Sequence, residues 1–261
     1  MAPRPCGCCA GPAVCRRPEE DSAAVTGTRN ILIVAAHPDD EVLGVGGTVA
    51  RHAGAGDRVH TLILAEGSTS RSGQRDTGAH GDAIAALKEA ARAAARCLGG
   101  EAPRFAGLPD NRMDGLELLD VVKEVETVVQ EVAPAIVYTH HGGDLNVDHR
   151  IAHQAVLTAC RPLPGTTLEA IYCFETVSST EWATPDIGRP FVPNHFVDIA
   201  GQLEQKRQAL ACYQAEMRPF PHARSVEAVE HLARFRGASV GFEAAEAFTV
   251  ARQLRFGGPR R

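Results

Sequence analysis

The chain has 261 residues, 44% of them apolar and 23% charged, with a formal net charge of -5. This is a globular composition with material for a sizeable core, and its acidic balance argues against a nucleic-acid surface or a polybasic membrane face. No window approaches the roughly 18 consecutive apolar residues of a membrane span, and Pro-Glu-Glu-Asp after Arg16 and Arg17 is no apolar core of a signal peptide.

Residues 1–28 are rich in Pro, Gly, Ala and charge without periodicity and read as a disordered tail; residues 29–261 read as a single domain. Four of the eight cysteines crowd into the tail as "CGCCAGPAVC". A metal site there would want a second pair at finger-like spacing. Cys97, Cys160, Cys173 and Cys212 sit in apolar contexts and read as small core residues. That usage points to a reducing, cytoplasmic compartment.

From Asn30 onward strands and helices alternate. "NILIVAA" is a continuous apolar run, the mark of a strand buried on both faces. "GGTVARHAGAG" reads as a helix ended by Gly54 and Gly56, and "RVHTLILAEG" as a second strand. "GSTSRSGQRDTGAHG" is a polar loop long enough to be functional. An Ala-rich helix over 83–98, a strand in "PRFAGLPD" and a helix over 117–132 with a valine-rich stripe follow. "PAIVYTH" is the fourth strand, "HRIAHQAVLTAC" its helix and "EAIYCFET" the fifth strand. Helices over 201–215 and 225–235 and a strand in "AEAFTVAR" complete the chain. This order predicts an α/β, Rossmann-like fold, a mostly parallel sheet with helices on both faces.

Ligands of open parallel sheets gather at the carboxyl ends of the strands. The first strand ends in His37, Pro38, Asp39, Asp40 and Glu41; the fourth ends in "HHGGDLNVDHRIAH", which offers His140, His141, Asp144, Asn146, Asp148, His149 and His153. Pro38 stiffens its turn, as fixed ligand directions require. Imidazole plus carboxylate without thiolate suits zinc in an open catalytic site, with other divalent metals as alternatives. Against this, Asp148 can be read as the cap of the helix starting at His149. "GVGG" lacks the spacing of a dinucleotide fingerprint.

"AHPDDEVLGVGGT" and "LNVDHRIAH" together resemble the signatures of the LmbE-like, PIG-L-type N-acetylglucosaminyl deacetylase family. The resemblance runs from about Ile31 to Arg252. It implies a Rossmann-like fold and zinc-dependent removal of an acyl group, usually acetyl, from an amino sugar. It implies His37, Asp40 and His149 as metal ligands and Asp39 as general base. Where family members commonly carry a histidine that steadies the oxyanion or acts as acid, this chain has Asn146, which can donate a hydrogen bond but not a proton. The proton for the leaving amine then falls to Asp39, or to His141 or His153.

Asp110 resembles a family carboxylate that binds sugar hydroxyls. Family members often carry an arginine in the first turn of the Ala-rich helix; the nearest matching position here is Leu87, so that sugar contact is missing or has moved to Arg71, Arg75 or Lys88. His222 and Arg224 in "MRPFPHARS" are candidates for a substrate flap. The expected partner is a small N-acetylated sugar or glycoconjugate, with no nucleic acid and no membrane insertion; the oligomeric state is not legible. Two rivals stand beside this reading: an amidase for another N-acyl substrate, such as a thiol conjugate or a nucleoside-like antibiotic precursor, and a non-catalytic sugar- or nucleotide-binding protein.

Overall fold

The computed structural model describes residues 27–256 apart from residue 187. The expected tail and its cysteine cluster fall almost entirely outside the described residues.

Among the described residues seven strands form one sheet: β1 (Asn30–Ala35), β2 (Arg58–Ala65), β3 (Arg104–Leu108), β4 (Ile136–His140), β5 (Ala170–Phe174), β6 (His195–Asp198) and β7 (Ala245–Gln253). Their spatial order is β3-β2-β1-β4-β5-β7-β6. The first five are parallel neighbours, and β7 and β6 add an antiparallel edge. Among the described residues six α-helices accompany them: α1 (Asp40–Gly54), α2 (Gly81–Leu98), α3 (Leu118–Val132), α4 (Val147–Ala159), α5 (Leu203–Ala211) and α6 (Val226–Ala238).

β1 shows why the sheet is central. Ile31 and Ile33 enter the apolar layer shared with α1, α2 and α5, whereas Leu32 and Val34 enter the opposite layer with α3 and α4. All four are fully buried. A strand covered on both faces must be apolar at every position, and this one is. Among the described residues no helix is long and apolar enough to cross a membrane.

Two expectations are corrected. α1 begins at Asp40, a turn and a half before the expected start, and "GVGG" lies inside it. Its glycines serve close packing: a Cβ on Gly44 would stand 2.2 Å from the Phe174 ring, and one on Gly47 would stand 2.8 Å from Ile199. β6, a strand of four residues that begins two after Pro193, pairs along the edge with β7 and is not among the expected elements.

The order reverses at β1, whose neighbours are β2 on one side and β4 on the other. The crevice beyond the carboxyl ends of β1 and β4 is therefore the topological switch point, where open α/β sheets bind ligands. The two His/Asp-rich segments lie there.

Candidate active site

β1 delivers His37 and then turns sharply. Asp39 has φ 110°, a left-handed conformation that a non-glycine residue adopts only where its surroundings enforce it. The turn places Asp40 at the start of α1, with its Oδ2 accepting the His37 backbone N–H at 2.9 Å. α4 brings His149 to the same oxygen.

Three atoms converge here. Asp40 Oδ2 lies 3.2 Å from His37 Nδ1 and 3.2 Å from His149 Nε2, and the two nitrogens are 3.3 Å apart. A tetrahedral zinc ion with bonds of about 2.0–2.1 Å requires ligand separations of about 3.3–3.4 Å, so this triangle has the right edge. Asp40 Oδ1 is buried with no hydrogen-bond partner among the described residues. Such a carboxylate, held against two imidazole nitrogens, suits a cation between them.

Each histidine has a carboxylate behind it. His37 Nε2 lies 3.1 Å from Asp148 Oδ2, and His149 Nδ1 lies 3.1 Å from Asp144 Oδ1. The hydrogen bond to Asp148 fixes the His37 tautomer and leaves Nδ1 free to ligate, whereas Asp144 stands beside His149 Nδ1 as a charge, without hydrogen-bond geometry. Asp148 is itself pinned by the backbone N–H groups of Asn111 at 2.7 Å and Met113 at 3.0 Å. Asp144 accepts from the Ser179 hydroxyl, from Thr180 Oγ1 at 2.5 Å and from the Asn146 N–H. His140 stacks on His149 with ring centroids 3.9 Å apart, and its Nε2 accepts the Ala36 N–H at 2.9 Å.

The charges follow this arrangement. Burial works against ionised Asp40, but His149, His140 and His37 hold its carboxyl well below the usual range. Burial likewise opposes charge on His37 and His149, yet the carboxylates around them raise both, whereas burial and its cationic neighbours lower His140. Asp39 is raised by burial and by Asp40, Glu41 and Glu216, against the pull of Arg224. Burial pushes Glu41 up to about 7, although the Tyr213 hydroxyl and the Asp39 N–H both donate to it.

Beside the triangle lies a polar cavity of about 170 Å³, lined among others by His37, Asp39, Ser70, Asp110, Asn146 and Arg224. Asp39 Oδ2 accepts from Arg224 Nη1 at 2.7 Å, while its Oδ1 has no hydrogen-bond partner among the described residues. Asp110 accepts from the Ser70 N–H and from Asn111 Nδ2, and its Oδ1 lies 3.5 Å from His37 Nε2. Asn146 uses its Oδ1 to cap α4, accepting the Asp148 N–H at 2.8 Å, and donates one amide hydrogen to Asn111 Oδ1. One hydrogen of its amide is left for another acceptor.

The structure thus brings together His37, Asp39, Asp40, Asp110, Asn146 and His149. It does not bring in His141, whose Nε2 donates to the Arg189 carbonyl at 2.8 Å and whose ring packs on Phe191. His153 is bound to the His140 carbonyl. His222 is exposed, and its Nδ1 accepts the Arg224 N–H. Arg224, two residues on, makes the contact with Asp39. Arg71 closes a 3-10 turn, Thr69–Arg71; its side chain lies outside what the structure describes. Arg75 is tied to Glu66, Lys88 lies over the Phe105 ring, and Leu87 is core. Asp148 is not the helix cap: Asn146 takes that place and frees Asp148 to turn toward His37.

Fold and cavity define an α/β protein of Rossmann-like topology whose strand ends carry a His/Asp group able to hold a metal ion. The chain belongs to the PIG-L family: residues 32–160 match the family model described as GlcNAc-PI de-N-acetylase. Over 52% of its length it is 30% identical to 70% of an uncharacterized deacetylase, YaiS, of Escherichia coli. Over 80% of its length it is 28% identical to 92% of the 1D-myo-inositol 2-acetamido-2-deoxy-alpha-D-glucopyranoside deacetylase of Rhodococcus opacus. Among solved structures, the 4-carboxy-2-hydroxymuconate hydratase GalB of Pseudomonas putida superposes with a TM-score of 0.70 and 22% identity, covering 89% of this chain and 100% of that one. At that identity the likeness is one of fold.

Proposed function

We propose that the protein is a zinc-dependent N-deacetylase acting on an amino sugar or an amino-sugar conjugate. The observation that carries this is the triangle of His37 Nδ1, Asp40 Oδ2 and His149 Nε2, with edges of 3.2–3.3 Å, one corner of which, His37, lines the same cavity as Asp39. The deacetylase relatives support the choice of an N-acetylated sugar.

His37, Asp40 and His149 would hold the metal, which when bound supplies a Lewis acid that polarises an amide carbonyl and lets water ionise near neutrality. Asp39 is the base. Its Oδ1 takes the proton of the attacking water, and Arg224 on Oδ2 keeps the carboxylate aimed. The uncommitted amide hydrogen of Asn146 donates to the oxygen that becomes negative as the carbonyl turns tetrahedral. Asp39 then returns its proton to the departing amine, since His141 is committed to Arg189. Asp110, fixed by two donors, presents lone pairs to sugar hydroxyls.

The test is a panel of N-acetylated sugars, nucleotide sugars and sugar conjugates, incubated with zinc-loaded protein and read as free amine. Release of amine and acetate in equal amounts from an amino sugar is the expected result. A zinc-loaded protein that binds such compounds but releases no amine from any would favour a binding protein instead.

A further inference from the structure

The polar cavity at the strand ends encloses about 170 Å³. Small-molecule sites usually enclose about 300–1,000 Å³, so a sugar conjugate seated there must continue beyond it. A neighbouring groove of about 320 Å³ opens between α2 and the segment after α5. Ala83, Leu87 and Ala90 form one wall, and Ala211, Cys212 and Ala215 the other. On α2 the spacing i, i+4, i+7 puts those side chains on one face. The groove adjoins the cavity: Glu216 lines both, and Ser68 of the groove follows Gly67 of the cavity. Glu216, at the junction, is the one charged side chain lining the groove among the described residues.

None of His37, Asp40 and His149 lines the groove. The acetyl group to be cleaved must reach that triangle and has no chain to extend beyond it, so the groove receives a different part of the substrate. We infer that it takes the apolar aglycone of an amino-sugar conjugate, an alkyl or aryl group on the anomeric oxygen; this rests on the deacetylase reading above.

The test compares the methyl and hexyl glycosides of N-acetylglucosamine as substrates of the zinc-loaded full chain, read as amine released. A fully buried methylene contributes about fourfold, and a groove open on one side about half of that on a logarithmic scale. Five additional methylenes should therefore raise kcat/KM about 30-fold. Ala86→Arg alters an exposed α2 position on the groove, so it should bring the ratio of the two kcat/KM values to within about threefold. Equal kcat/KM for the two glycosides, or a ratio untouched by Ala86→Arg, overturns the inference.

If neither glycoside reacts, the deacetylase reading is what has failed, and calorimetry with hexyl glucoside, which has no amide, judges the groove. Binding that Ala86→Arg abolishes supports an apolar-ligand groove; no binding, or equal binding, overturns it. Binding that appears only after residues 1–26 are removed assigns the groove to the chain's own N-terminal segment, and binding seen only at dilutions that dissociate a dimer assigns it to a second copy. Either result overturns the inference.

Discussion

Asp148→Ala separates the role of this carboxylate behind a metal ligand from that of a helix cap. Asp148 is fully buried, accepts two backbone N–H groups, from Asn111 and Met113, and lies 3.1 Å from His37 Nε2. Removing it leaves two buried donors unpaired. Each costs about 1–3 kcal/mol, and because the site borders a cavity that water can enter, the low end applies, about 2 kcal/mol in all. For a domain of this size that lowers Tm by about 4–8 °C. It also frees the His37 ring to turn. Loss of a partner behind a ligating histidine typically weakens metal binding about 10–100-fold, or about 1.4–2.7 kcal/mol. Competition against a chelator of known zinc affinity measures the second effect, and a thermal melt of the zinc-free protein the first. Asp148→Asn keeps a carbonyl acceptor for the backbone, so it should restore part of the Tm with less return of zinc affinity. Zinc affinity unchanged within twofold in Asp148→Ala, despite a lowered Tm, would refute the orienting role.

Asp39→Asn should keep bound zinc yet lower kcat by about 10² or more, since a neutral amide cannot take the proton; zinc lost with Asp39→Asn and kept with Asp40→Asn would show the two roles exchanged. Asn146→Ala should lower kcat/KM by about 2–4 kcal/mol in the transition state and, through the lost α4 cap, stability by about 1 kcal/mol, with the shape of the pH profile unchanged. At the opposite end of the sheet, Asp57 accepts from Arg29 Nε and Nη2 and lies 2.8 Å from His52 Nδ1. Burial opposes its ionisation, but these partners hold its carboxyl below the usual range. Its contribution is therefore fully present above the unfolded value of about 4 and lost as pH falls through the lower folded value. Asp57→Asn should lower stability by about 1 kcal/mol at pH 7 and by much less at pH 3, without touching kcat/KM; an equal loss at both pH values would contradict this.

The sheet was legible because β1 and β5 are buried along nearly their whole length and read as apolar runs, and residues 62–65 of β2 and 136–138 of β4 do the same. β6 was not, because "HFVD" is four half-buried residues on an edge, where no core demands a pattern. The start of α1 was hidden by its glycines, which are there for the Phe174 and Ile199 contacts and not as breakers. In the site, residues on the two strand-end motifs came together because the parallel topology brings the ends of β1 and β4 to one crevice. What sequence spacing could not reveal was direction. His141 follows His140 directly, yet the two point apart, one to Arg189 and the other to Thr176 and Ala36. His222 and Arg224 share a loop, and only a three-dimensional path joins Arg224 to Asp39 across 185 positions of chain. The N-cap was misplaced by two residues for the same reason: Asn146 and Asp148 can both cap a helix, and the choice is made by what lies behind His37.

The central claim is that His37, Asp40 and His149 form one zinc site that deacetylation needs. The most direct measurement is zinc content together with amine release for the wild-type chain and His149→Ala, each stripped by chelator and reloaded with zinc. The wild type should take up one equivalent and regain activity in proportion to it. His149→Ala should hold little zinc and release no amine, because two protein ligands bind the ion poorly. A full equivalent retained by His149→Ala, or undiminished activity in the stripped wild type, would contradict the account.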